Sequence, residues 1–214
     1  LLVILLASSC YYGTSGAASL GTPDNWSLIG LTNDEGDVLN IKGDLQRVDV
    51  TTGENHDANT RIAWVVDEGA YTRNEVCATW DSHTGRIDQP GLIVHFDGTH
   101  GFTMTQNIWA MDRSVINFHA WDLSKPEAPF TQIGSFRPGI GDGFAWPLRA
   151  CLRADGPFLD GKVWPAGSPE PEYGDPAFSG GALITNIQGR GGWYAGHVAP
   201  GETLTMTLLS EIHA

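Results

Sequence analysis

Between Ser114 and Trp121 the chain alternates residue types that contact sugars with residue types that fill cores. In a strand, residues two apart share a face. Val115, Asn117, His119 and Trp121 therefore form one row, and Ile116, Phe118 and Ala120 an apolar row toward the core. The preceding segment, Gly101 to Trp109, repeats the arrangement with Thr103, Thr105, Asn107 and Trp109 on one side and Phe102, Met104 and Ile108 mostly on the other. If the two strands pair, one face carries Asn107, Trp109, Asn117, His119 and Trp121, and Trp80 on a neighbouring strand is expected to add a third indole. Indole rings stack on the apolar faces of sugars, while amides and imidazoles hydrogen-bond their hydroxyls. For each tryptophan taken singly, packing in the core or on the outer sheet face remains the competing role.

Catalytic chemistry finds less support. No Gly-x-Ser-x-Gly elbow occurs, and Cys77 and Cys151 lie in apolar runs without a cue of activation. The seven histidines are scattered without HExxH spacing. His95 and His119 fall in neighbouring strands, where hydrogen-bonded structural roles are the commoner reading. Asp67 and Glu68 are adjacent and beside Gly69, as turn residues are, and Glu75 has no acidic partner two residues away. No catalytic residue and no metal ligand is therefore assigned. Asp97, Asp122 and Asp175 sit next to Gly or Pro or beside turns, where acids are common for backbone reasons.

The elements that must position these residues are strands. No sustained period of 3.6 appears, whereas short alternating or apolar runs recur. The strand candidates are residues 47–51, 61–66, 74–80, 91–96, 101–109, 114–121, 148–153, 192–197 and 203–209. Turn signals separate them, among them Asp67-Glu68-Gly69, Gly141-Asp142-Gly143 and Pro200-Gly201, and Asp97-Gly98 reads as a tight hairpin between Phe96 and Phe102. From Lys162 to Pro176 runs an ordered loop with four prolines. No helix or central strand can pass through it. Trp164 is expected to plug the core at a sheet edge, and Tyr173 to stand at the rim.

With 214 residues the chain can bury one good core. Its formal charge of -13, from 25 acids against 12 bases, opposes nucleic-acid binding and adhesion to anionic membranes. That balance suits a neutral or cationic partner, and an uncharged or amino-bearing polysaccharide fits. Leu1 to Ala7 is an apolar run too short to span a bilayer. It matches the core of an export signal, and Ala7-Ser8-Ser9-Cys10 loosely resembles a lipoprotein cleavage box with Cys10 as the modified residue. A buried first strand is the alternative. Residues 1–24 are thus expected to be a leader and lead-in, and 25–214 one sandwich domain, secreted or displayed at a cell surface. Asn25-Trp26-Ser27 matches a glycosylation sequon. In an exported chain Cys77 and Cys151 could pair, and two separate buried thiols are the open alternative. Self-association is not legible here.

Several separated blocks, in order, carry a family likeness: residues 74–80 (NEVCATW), 89–92 (QPGL), 105–109 (TQNIW), 117–122 (NFHAWD), the 162–176 loop and 192–197 (GWYAGH) before Pro200-Gly201. The chain resembles the concanavalin A-like lectin/glucanase superfamily, with its LamG-like jelly rolls. It is similar in particular to modules of secreted actinobacterial proteins and of minor tail proteins of their phages. The resemblance covers roughly residues 25 to 210 and implies an all-β jelly-roll sandwich. Glucanases of that fold carry Glu-x-Asp-x-x-Glu on one strand, which this sequence lacks. The resemblance also implies that a structural calcium is the one cofactor to consider, although no contiguous Asp-rich loop supplies its six to eight oxygens. The expected function is a non-catalytic carbohydrate-binding module. A structural or adhesion domain of a virion or envelope, and a glycoside hydrolase or polysaccharide lyase, are the alternatives.

Overall fold

The computed structural model describes residues 26–32, 39–42, 47–52, 61–66, 69–141 and 145–213. The leader with Cys10, the sequon residue Asn25 and the turns at Asp67-Glu68 and Asp142-Gly143 lie outside the described residues.

The chain is built of strands. In order they are β1 (Trp26–Gly30), β2 (Leu39–Lys42), β3 (Arg47–Thr52), β4 (Arg61–Val66) and β5 (Arg73–His83). Then come β6 (Gln89–Phe96), β7 (His100–Gln106), a 3-10 turn (Trp109–Met111), β8 (Ile116–Asp122) and β9 (Phe130–Phe136). The last are β10 (Leu148–Asp155), β11 (Phe158–Pro165), β12 (Ser179–Leu183), β13 (Arg190–Gly196) and β14 (Thr203–His213). They form two seven-stranded antiparallel sheets, ordered β1-β4-β13-β6-β7-β8-β9 and β12-β11-β10-β5-β14-β3-β2.

Alternation explains how the sheets face each other. Ile62, Trp64 and Val66 of β4, Met104 of β7 and Ile116 and Phe118 of β8 point inward against Val76, Ala78 and Trp80 of β5 and Leu148 and Leu152 of β10. Trp193 lies 5.0 Å from both Trp26 and Trp64, ring centroid to ring centroid. Each such large side chain removed from water contributes about 1.5–3 kcal/mol.

Two further apolar clusters lie on the outer faces. One joins Leu31, Ala63, Val65, Ile93, Phe96, Trp121 and Tyr194 on the far side of the first sheet. The other, on the second sheet, holds Cys77, Cys151 and Trp164. Cys77 and Cys151 stand opposite one another on β5 and β10, with Cα atoms 4.1 Å apart, and form a disulfide.

The proline loop seals this second cluster. Lys162, almost buried, donates from Nζ to Glu170 Oε1 at 2.6 Å and to the Pro171 carbonyl at 2.9 Å, and lies 4.3 Å from the centre of the Tyr173 ring. Trp164 thus packs beneath the loop on the disulfide rather than plugging the inter-sheet core, and Tyr173 is a lid over it rather than a rim residue.

Candidate functional site

The outer face of the first sheet holds a shallow, solvent-open cleft lined, among the described residues, by Arg61, Gln89, Trp109, Asn117, His119, Trp121, Phe130, Tyr194 and His197. Its floor follows from the row predicted on β8. Ile116 and Phe118 go to the core, so Asn117, His119 and Trp121 turn outward.

Curvature makes this face a cleft. Arg61 starts β4 and Phe130 starts β9, five strand spacings apart in the sheet. Laid flat, that separation is about 24 Å. Yet the Arg61 guanidinium lies 5.0 Å from the centre of the Phe130 ring. The sheet therefore curls enough for long side chains from its two flanks to meet. Phe130 also sits 4.9 Å from Trp121 and edge-on to His119 at 5.4 Å.

Beneath this arch lies Tyr194. A Cβ on Gly91 would fall 2.8 Å from the Tyr194 ring, so glycine there lets the ring lie across bare backbone of β6. The Tyr194 hydroxyl donates to Gln89 Oε1 at 2.7 Å, and Gln89 Nε2 donates to the Gln106 carbonyl at 3.0 Å. The Arg61 charge also acts on the Tyr194 hydroxyl. Burial pushes the tyrosine hydroxyl well above its ordinary pKa, so it stays protonated. Burial, reinforced by the Arg61 charge, pushes the His119 imidazole down to about 4. His119 is then neutral at physiological pH, with one nitrogen a donor and the other an acceptor.

Trp109 stands at the lip with 77% of its surface exposed. It is not on a strand. β7 stops at Gln106 because the side chains that follow bond the backbone in place of the ladder. Asn107 Nδ2 donates to the carbonyls of Trp109 and Asp112 at 3.1 and 2.8 Å. Its Oδ1 accepts from the Trp109 amide at 3.3 Å and from Asn117 Nδ2 at 3.0 Å. Both donors and both acceptor sites of Asn107 are thereby engaged within the chain. Ala110, at φ 53°, completes the turn that holds the indole out.

No known family's sequence profile matches the chain, and no curated protein matches it. Solved structures do. A functionally unknown protein from Saccharomyces cerevisiae superposes with a TM-score of 0.54 at 11% identity, over 89% of this chain and 97% of that one. A protein of unknown function with a galectin-like fold from Bacillus subtilis gives 0.51 at 10% identity, over 88% and 90%. The exoplasmic/lumenal domain of VIP36, in its Ca2+/mannose-bound form, gives 0.50 at 10% identity, over 86% and 82%. The chain has the concanavalin A-like jelly-roll fold. The likeness is one of architecture alone.

Set on this jelly roll, the residues picked from the sequence divide. Trp109, Asn117, His119 and Trp121 meet in the cleft. Trp80 does not: it belongs to β5 of the opposite sheet and is fully buried between the sheets, in register with its inward neighbours Ala78 and Val76. Asn107 underlies the lip as a clamp whose hydrogen-bonding capacity is spent. Trp121 is only 3% exposed, roofed by Phe130, with its Nε1 donating to Thr103 Oγ1 at 2.9 Å. It supports the floor rather than offering an open ring face.

Arg61, Gln89, Phe130, Tyr194 and His197 were not picked. Gln89, Tyr194 and His197 lie in blocks that carried the family likeness, and Arg61 opens a correctly bounded strand, but row logic on two strands could not reach them. The turn acids Asp97, Asp122 and Asp175 cap their own turns. Asp97 Oδ1 accepts from the Thr99 and His100 amides, Asp122 Oδ2 pairs with Lys125, and Asp175 Oδ1 accepts from the Ala177 amide. Among the described residues no group of three or more His, Cys, Asp or Glu is gathered as metal ligands. His95 lies fully buried in β6, apart from the cleft-lining residues.

Proposed function

We propose that this protein is a non-catalytic carbohydrate-binding module that takes a saccharide into the cleft on the outer face of the first sheet. The observation that carries this reading is Trp109, a largely exposed indole at the lip of a cleft lined by amide and imidazole groups. A sugar ring stacks its apolar face on Trp109 while Asn117, His119, Gln89 and His197 hydrogen-bond its hydroxyls. The polar groups are held by the protein before ligand arrives, which reduces the ordering cost of binding. Individual affinity is modest, and repeated display raises it. The Cys77–Cys151 disulfide supports export to an oxidising compartment. Among the described residues no helix is long and apolar enough to cross a membrane.

The test is a glycan-array screen with product analysis on every positive spot, repeated with Trp109→Ala. Intact glycan retained by the parent, and retained at least about tenfold less by the variant, bears the reading out. Shortened or unsaturated products would make the protein an enzyme. Glycan binding unaffected by Trp109→Ala would place the site elsewhere.

A further inference from the structure

Asn74 and His95 stand apart from the other described polar residues. Both are 0% exposed, and each buries two polar side-chain atoms that have no hydrogen-bond partner. The other such orphans among the described residues are single atoms. Asn74 lies on β5, in the inward row with Val76, Ala78 and Trp80. His95 sits at a bulge in β6, which takes three steps from Ile93 to Phe96 where β13 takes two from Gly192 to Arg190. Its φ is 52°, in the left-handed region that non-glycine residues rarely adopt. The bulge turns Phe96 to the outer cluster of Trp121 and Tyr194, although Val94, two residues earlier, faces the inter-sheet core. We propose that this bulge is an internal hydration site, in which a bound water molecule bridges His95 to Asn74 between the two sheets. The inference is independent of what the outer cleft binds.

Three strands bring the imidazole and the amide to one end of the inter-sheet space. Gly191 is the β13 residue opposite the bulge, and a Cβ on it would lie 2.5 Å from Asn74 Oδ1. A Cβ on Gly189 would lie 2.2 Å from the His95 carbonyl carbon. The two glycines thus let the chain run close against both residues. In the facing sheet the Asp155 carboxylate acts on the His95 ring, and Asp155 pairs with Arg73, the residue before Asn74. No hydrogen bond joins His95 to Asn74 directly. Buried polar groups in folded proteins are nearly always satisfied, by protein or by ordered water. Burial pushes His95 below its ordinary pKa, so the ring is neutral, with one donor and one acceptor nitrogen. The carboxamide likewise offers both kinds of group. Water, with two donors and two acceptors, answers both side chains at once, and buried waters make about three hydrogen bonds each. A bond from water to the ring also helps offset the strain of a left-handed histidine.

The test joins a high-resolution crystal structure of the whole chain to a urea-denaturation cycle of Asn74→Leu, His95→Phe and the double variant. The expected structure shows a water within about 3.2 Å of one His95 nitrogen and one Asn74 amide atom. In solution, cross-relaxation between that long-lived water and the His95 ring protons should accompany it. Each single change strands the remaining side chain and should lower the urea midpoint. The double variant removes both polar groups and should fall by less than the two single shifts added together. If a single variant fails to fold, the crystal structure and the water signal of the parent protein decide alone. A direct hydrogen bond between His95 and Asn74, or a protein partner for each with no water between them, overturns the proposal. Additive shifts in the cycle would show that no shared water couples the two residues, and would overturn it as well.

Discussion

Arg61 and Phe130 touch across a sheet in which five strand spacings separate them, the guanidinium 5.0 Å from the centre of the ring. This contact holds the curl of the sheet, roofs Trp121 and turns an outer face into a cleft. Phe130→Ala removes the roof and its ring contacts. The expected cost is about 1–3 kcal/mol of stability, measured by urea denaturation. Faster hydrogen exchange at the Trp121 indole N–H should accompany it, and unchanged exchange would mean that Phe130 does not seal the floor.

Asn107→Ala should mimic Trp109→Ala in glycan affinity without removing any atom that meets the ligand. Alanine leaves the Trp109 and Asp112 carbonyls and Asn117 without their partner, so the turn loosens and the indole is no longer held at the lip. Binding should fall about three- to tenfold, with the ordering cost returned to the ligand. Calorimetry of both variants checks this, and full affinity in Asn107→Ala would deny the clamp.

The disulfide joins positions separated by 74 residues. Chain-entropy arguments assign a loop of that size about 4 kcal/mol, with strain and denatured-state structure subtracting from it. Replacing both cysteines by alanine should lower the unfolding free energy obtained from urea denaturation by an amount of that order. Oxidised and reduced parent protein should differ similarly, and coincident unfolding curves would contradict the bond.

Asp88 and Glu202 sit together beside Gly85, where Asp88 Oδ2 accepts the Gly85 amide at 2.7 Å. Burial first, and then the Glu202 carboxylate, raise Asp88 from the ordinary aspartate range to about 7. The folded state thus holds a proton that the unfolded chain has released. This stability contribution is complete below about pH 4 and is lost as pH rises through about 7. Thermal denaturation between pH 4 and pH 8 should show that decline. Asp88→Asn, which keeps an acceptor for Gly85 and a donor for Glu202, should flatten it. A parallel decline in the variant would place the titration elsewhere.

Much of the scaffold was legible because period-two patterning is a local signal. β4 was read with both ends right, and the inward rows of β7 and β8 are as expected. The strands missed include β9, β11 and β12, which contain Gly134, Gly161 and Gly180-Gly181. Glycine is a poor strand former, and at Gly161 it is needed because a side chain would collide with Met104 and Phe118 of the facing sheet. That is a tertiary requirement. The site was half legible for the same reason. Rows on a single strand gave Asn117, His119 and Trp121, but strand order decides that Trp80 belongs to the other sheet, and sheet curvature decides that Arg61 meets Phe130. Asn107 misled because its side chain ends the very strand on which it was placed.

β6 is buried at all eight of its positions, with the inter-sheet core on one side and the curled outer face on the other. Such a strand has no neutral position, so substitutions along it are filtered by packing whatever the ligand. Room for a lineage, or a protein engineer, to alter what this scaffold recognises therefore lies at the margins of the cleft: the Trp109 turn, the approach to Phe130 and the segment after β13. The central strands keep the architecture constant, and the three margins can vary one at a time.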